Sequence, residues 1–346
     1  MESYYGNGKR ADGIGTAQTR KMHADITFDD YVSIFLAEKR LLLSPVTVQN
    51  YARELKRAIR YFGRESMTGI SFLRMKRYFC ELPERERSRR TGRPLAPGTV
   101  RQHYIVLHSF FENAAENEVI YENPMKRIKH LTESKNAVIE EPLSYDETQV
   151  RYIIRCLAEE PCMWRAAVMF ALDSGCRSGE VMGLKWSDIS LATGKVVICR
   201  TVRYTAGLGT FMSSPKSGKN RIIYLNKPAL ACLCEWKAAQ ESEILYRDAA
   251  QKEAGYCFTQ RDGSPLIPVA FNNYLSRFGR KYGLPGIHPH ALRHTMASLS
   301  IANGADIVSV SNKLGHSNIS ITLDIYSHAN LHAQLRANAA LADAIY

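Results

Sequence analysis

What the chain lacks narrows the field first. It has no run of 18 apolar residues and no lipidation motif, so no segment reads as a membrane anchor. Met1-Glu2-Ser3-Tyr4-Tyr5-Gly6 lacks the apolar core of a secretory signal, and the expected residence is cytoplasmic. The 8 cysteines are scattered, with Cys232 and Cys234 the only close pair and no C-x-x-C, which argues against both a zinc site and a disulfide framework. They are expected to be reduced, mostly buried apolar residues. Acidic residues are the scarce charge: 34 Asp and Glu face 46 Lys and Arg, and the net +12 favours a polyanionic partner through counterion release. Nucleic acid leads that class, ahead of an anionic membrane surface. The length of 346 residues suffices for two domains, each burying its own core.

In chain order, residues 1–25 are polar, Gly-rich and without periodicity, and read as a flexible tail in which Lys9, Arg10, Arg20 and Lys21 could touch DNA. A small helical module is predicted over 26–131. Thr27 caps a helix carrying Phe28, Tyr31, Phe35 and Leu36, and Ser44-Pro45 opens a second that Gly63 ends. A third starts near Ser71, and a fourth runs from Pro97 to about Glu118. Between these two lie Arg85, Arg87, Arg89, Arg90 and Arg93, a basic loop suited to backbone phosphates or simply a solvated face.

Residues 132–142 are polar and pattern-free and read as a linker, with a second domain over 143–346. Ser144-Tyr145-Asp146-Glu147 has the form of a capping box. Cys162 to Ser174 is apolar nearly all round, so that helix should be buried and stop at Gly175. Residues 195–199 and 221–225 alternate as strands, with Lys216 in or beside the connection before the second. Helices dominate after Pro228, apart from a short strand near Tyr256-Cys257-Phe258. The expected fold is mainly α with a small antiparallel sheet.

The chemistry concentrates between Ile287 and Tyr326. His290 and Arg293, three apart, share one helix face and can address the same group. Gly315 reads as the left-handed residue ending a helix at Leu314, which turns His316 out of the helix wall, and Tyr326 follows ten residues later. His-x-x-Arg, Leu-Gly-His and this tyrosine, together with Gly175-Cys176-Arg177-Ser178-Gly179-Glu180 and Ser214-Pro215-Lys216-Ser217-Gly218-Lys219, stand in the order of the tyrosine recombinase boxes. The chain resembles that family of phage-type integrases, Xer proteins and Cre.

The resemblance implies a helical core-binding domain covering one face of the duplex and a catalytic domain covering the other. It implies attack of the Tyr326 phenol on a DNA phosphodiester, with Arg177 and Arg293 on the non-bridging oxygens, where a two-pronged guanidinium does what a lysine cannot. His290 would take the phenol proton, Lys216 would protonate the departing 5' oxygen, and His316 would donate to a phosphate oxygen. Lys219 is the neighbouring alternative to Lys216, and Glu180 orients the arginine. The resulting 3'-phosphotyrosyl bond keeps the phosphodiester energy, so no cofactor, metal or ATP is expected. A helix over 328–346 would pack in cis or dock on a neighbouring protomer of a homotetramer holding two DNA sites.

Two other classes compete. His290 with His294, and His328 with His332, have a zinc-chelating i,i+4 spacing, but Ala291 and Leu292 stand where a zinc hydrolase carries its glutamate. A non-catalytic DNA-binding regulator on the same fold would have lost a catalytic position, and all six are present. The first 25 residues are too few for the additional arm-binding domain of many phage-type integrases. Integration or excision of a mobile element therefore stands beside Xer-like resolution of chromosomes or cassettes.

Overall fold

The computed structural model describes residues 26–88, 92–128, 143–215, 218–244 and 255–316, with positions 318, 323 and 345. Residues 1–25, Arg89, Arg90, 132–142, Lys216, Tyr326 and nearly all of 328–346, the stretch expected to be a final helix, lie outside the described residues. The chain divides into two compact units, Met1–Ile139 and Glu140–Tyr346.

The first unit contains four α-helices among its described residues: α1 (Phe28–Leu42), α2 (Pro45–Phe62), α3 (Phe72–Arg85) and α4 (Pro97–Glu116). Their starts follow from short polar caps. Thr27 Oγ1 accepts from the Asp30 N–H at 3.2 Å, Ser44 Oγ from Thr47 at 3.4 Å and Ser71 Oγ from Arg74 at 3.3 Å, each satisfying a donor that the helix cannot. Gly63, at φ 41°, ends α2 in a conformation costly for other residues. The core is aromatic: Phe28 lies 5.3 Å from Phe62 and 4.9 Å from Phe110 between ring centroids, with Phe35 and Phe111 also fully buried. A buried polar group lies beside Tyr78 and Phe79. His103 meets Tyr78 Oη at 2.6 Å through Nε2 and faces the buried Glu54 carboxylate at 3.3 Å through Nδ1, and Arg57 donates to the same carboxylate at 2.7 Å.

In the second unit the capping box differs from the expected one. Helix α5 (Glu147–Leu157) is capped by Asp146, which accepts from the Gln149 N–H at 2.8 Å while the Gln149 side chain accepts from the Asp146 N–H at 3.0 Å. Asp146-Glu147-Thr148-Gln149 fits the motif as well as Ser144 to Glu147 does, and it places the cap immediately before the helix. Helix α6 (Cys162–Ser174) is buried on nearly every side and packs against α8 (Lys227–Ile244) and α10 (Pro289–Ala302). The short α7 (Ser178–Met182) follows it.

Among the described residues the strands form two antiparallel ribbons rather than one sheet. Strand β1 (Lys195–Ile198) pairs with β4 (Arg221–Tyr224), placing Ile198 opposite Arg221. Between them in sequence, β2 (Thr201–Thr205) pairs with β3 (Gly209–Ser213). Positions 214–220, which include Lys216, connect β3 to β4. The expected strand near Tyr256 is reduced to isolated bridges, Lys185 to Tyr256 and Thr259 to Pro265. Helices α9 (Pro268–Lys281), α10 and α11 (Ile307–Leu314) complete the described part of the unit. Of the cysteines, Cys156, Cys176 and Cys257 are buried, whereas Cys80 and Cys234 are exposed, so burial is less general than expected; all eight are free thiols.

Candidate active site

Two helices of the second unit end on left-handed glycines, and the site forms where they end. Gly175 closes α6 at φ 63° and Gly315 closes α11 at φ 66°, both in the region glycine occupies without a Cβ penalty. A Cβ on Gly175 would lie 2.2 Å from Met296 Cε and 2.6 Å from Leu314 Cδ2, so the two turns are in close packing. Arg177 leaves the first turn as the cap of α7. His316 leaves the second, its N–H on the Ser311 carbonyl at 3.2 Å.

Arg293 rises from α10 between these turns and is only 5% exposed. Its Nη1 donates to the Gly175 carbonyl at 2.6 Å and its Nη2 to the Leu314 carbonyl at 2.9 Å. Arg177 Nη2 donates to the next carbonyl, Gly315, at 3.4 Å. Two guanidinium groups far apart in sequence thus meet on consecutive peptide units. Each guanidinium has about five N–H donors, so these bonds fix both groups without exhausting them.

Glu180 is 2% exposed and accepts from both sides: from the Arg177 N–H at 2.9 Å and Nη1 at 3.2 Å, and from Arg221 Nη2 at 2.7 Å and Nη1 at 3.1 Å. Burial alone would raise its pKa, but the hydrogen bonds and charge of Arg221, then Arg177, outweigh that and hold the carboxyl below its ordinary range. Arg221 Nε also donates to the Lys313 carbonyl at 2.8 Å.

The positive field reaches the histidines. Desolvation, followed by the charges of Arg293 and Arg177, pushes His316 down to about 4. Desolvation, then Arg293, lowers His290 as well. Arg293 itself falls to about 10, first through burial and then through Arg177. Both imidazoles are therefore neutral at pH 7, one able to accept a proton and the other to donate a hydrogen bond from its ring N–H. Arg177 and Arg293 bring like charges side by side, with Glu180 engaged on the Arg177 side, and both keep N–H donors for a further anion.

The phage integrase family profile matches residues 144–332, more than half of the chain. The chain belongs to the phage integrase family. With it come the tyrosine recombinases among its relatives. It is 23% identical over 304 residues to the ICEBs1 integrase of Bacillus subtilis (strain 168), covering 88% of this chain and 79% of that one. It is 25% identical over 322 residues to a XerC-like tyrosine recombinase of Caldanaerobacter subterraneus subsp. tengcongensis, covering 88% and 80%. In fold it is similar to the Tn1549 transposon integrase in complex with transposon right end DNA, with a TM-score of 0.74 over 92% of this chain and 100% of that one at 18% identity.

Of the six site residues expected of this recombinase, the structure brings Arg177, Arg293 and His316 to one place and sets His290 within the same field. Lys216 and Tyr326 lie outside the described residues. Sequence reasoning missed Arg221, whose place after the lysine segment was visible but whose partner, Glu180, is 41 positions away. It also missed the α2 part of a second basic feature, in the first unit, whose Arg87 and Arg93 it had named. There a cleft of about 630 Å³ is lined by Arg53, Lys56, Arg57 and Arg60 of α2 with Arg87 and Arg93. The α2 residues stand at i, i+3, i+4 and i+7, a row opposite the apolar face, and that spacing was the available signal. Glu54 and Glu86 pair with two of them: Arg57 Nη1 donates to Glu54 at 2.7 Å, and Arg60 Nη2 to Glu86 at 2.6 Å.

Proposed function

We propose that this tyrosine recombinase cuts and rejoins double-stranded DNA through a covalent 3'-phosphotyrosyl intermediate on Tyr326. The observation that supports it most is the meeting of Arg177 and Arg293 on the Leu314 and Gly315 carbonyls, beside His316. A scissile phosphate placed there receives donors on its non-bridging oxygens, where charge accumulates in the transition state. The Tyr326 oxygen attacks phosphorus as the bond to the 5' oxygen breaks. The phenol proton passes to His290, kept neutral by its surroundings. Lys216, between β3 and β4, protonates the departing 5' oxygen, and His316 donates to a phosphate oxygen. A 5' hydroxyl from a second duplex then reverses the step and regenerates the phenol, with no net consumption of a high-energy bond.

DNA is the partner that the net +12 charge and the α2 cleft favour. Four protomers on two sites, exchanging the 328–346 segment, would carry out the complete reaction in the cytoplasm. Movement of a mobile element is the role in keeping with the likeness to an integrase, and Xer-like resolution the one in keeping with the likeness to a XerC-like recombinase. Intermolecular and intramolecular products from plasmids bearing candidate attachment sites separate these roles.

The decisive experiment is incubation with a nicked candidate attachment site in chelator, followed by denaturing electrophoresis. The expected result is a protein–DNA adduct that disappears in Tyr326→Phe. An adduct that survives the substitution moves the nucleophile elsewhere.

A further inference from the structure

We infer that Arg221 is a positioning residue of this site, keeping Arg177 available to the scissile phosphate by competing for the carboxylate that would otherwise claim it. The inference rests on the proposed role of Arg177. Glu180 is buried beside two guanidinium groups, and its bonds are unequal. Arg221 engages both oxygens, at 2.7 and 3.1 Å, in a forked arrangement, whereas the Arg177 side chain holds one oxygen through one nitrogen at 3.2 Å. The Arg177 side chain remains 26% exposed and that of Arg221 only 10%, so the inner arginine absorbs the carboxylate while the outer one faces solvent.

Without Arg221, a buried carboxylate would keep Arg177 as its remaining cationic partner among the described residues. A buried charge losing one partner closes more tightly on the other, because no water replaces the missing bonds. Arg177 would then turn from single to forked contact with Glu180 and withdraw donors from the phosphate.

The same side chain joins three segments. Arg221 begins β4 at the exit of the lysine-bearing connection, and its Nε donates to the Lys313 carbonyl at 2.8 Å, three residues before His316. A Cβ on Gly315 would lie 3.0 Å from Arg221 Nη1 and 3.2 Å from its Cδ, so the glycine leaves room for this guanidinium as well as supplying a left-handed turn. Its Nη2 also lies 3.4 Å from the buried Cys176 Sγ, beside Arg177. The lysine connection, the arginine box and the turn to His316 are thereby tied through one group.

The test is a double-mutant cycle on cleavage of the nicked site, with DNA affinity from fluorescence anisotropy and folding from thermal melts. Arg221→Met is expected to slow adduct formation about tenfold or more with affinity nearly unchanged. Adding Glu180→Gln should remove the competing charge and restore several-fold of that loss. A purely structural arginine predicts the opposite, a double variant no faster than Arg221→Met. If Arg221→Met does not fold, Arg221→Lys carries the same test, slower than the parent and faster once Glu180→Gln is added. A parental cleavage rate in the folded Arg221 variant, or no recovery in the double variant, overturns the inference. Absence of a Tyr326-dependent adduct in the unaltered protein overturns the proposed function instead.

Discussion

Arg293 Nη1 and the Gly175 carbonyl lie 2.6 Å apart, tying the His-x-x-Arg helix to the turn two residues before Arg177. This bond makes the two catalytic-candidate arginines unequal under mutation. Arg177→Ala is expected to lower cleavage by about a hundredfold or more with DNA binding largely retained. Arg293→Ala should do the same and also destabilise the unit by roughly 1–3 kcal/mol, since two buried carbonyls lose their donor. Adduct assays beside urea denaturation of both variants check the contrast. Equal losses of binding and cleavage would reduce the arginines to docking contacts.

The depressed His316 pKa sets a pH dependence of stability. An unfolded histidine takes its proton near ~6.5, while His316 in the folded protein holds out until about 4. Between those values the unfolded chain binds more protons, so DNA-free protein should lose stability as pH falls through that window and regain it as pH rises. His316→Gln should flatten that part of the profile. Denaturant midpoints at several pH values decide it, and an unchanged slope in the variant assigns the window to other groups.

Gly179 packs against β2 so closely that an added Cβ would lie 2.3 Å from Thr201 Oγ1 and 2.7 Å from the Val202 carbonyl. A backbone oxygen has no rotamer to change. Gly179→Ala should therefore destabilise the second unit by roughly 1–3 kcal/mol and, by displacing the neighbouring Glu180, slow cleavage. A urea midpoint equal to that of the parent would mean that β2 moves aside freely.

For the tail, deletion of residues 329–346 is expected to abolish recombination between two sites while sparing binding to one. Gel-shift and strand-exchange assays on the same preparation separate the two. Full recombination by the truncated protein would end the proposal of exchange between protomers.

How much of this was legible before the structure depended on how local the signal was. The starts of α1, α2 and α3 were, because Thr27, Ser44 and Ser71 act on N–H groups three residues away. The second ribbon was not. Tyr204 and Met212 leave apolar groups on its open side, 50% and 38% exposed, so the inside-outside contrast that marks a strand is weak between Thr201 and Ser213. Arg177, Arg293 and His316 could be named from the order of their boxes, but not the carbonyls that hold them. The Glu180–Arg221 pair was hidden because nothing in a sequence connects a helix residue to the first residue of a distant strand. The buried Glu54–His103–Tyr78 group escaped for the same reason, being drawn from three different helices.

The termini of α6 and α11 carry a last consequence. Among the described residues Arg293 is anchored by peptide oxygens, which hold it in place while leaving its unit charge intact. An anion arriving at Arg293 meets two helix ends already set. Because those two oxygens belong to the last turns of different helices, the place of the Arg293 charge is set by where both helices stop, and a slip of either end would move it.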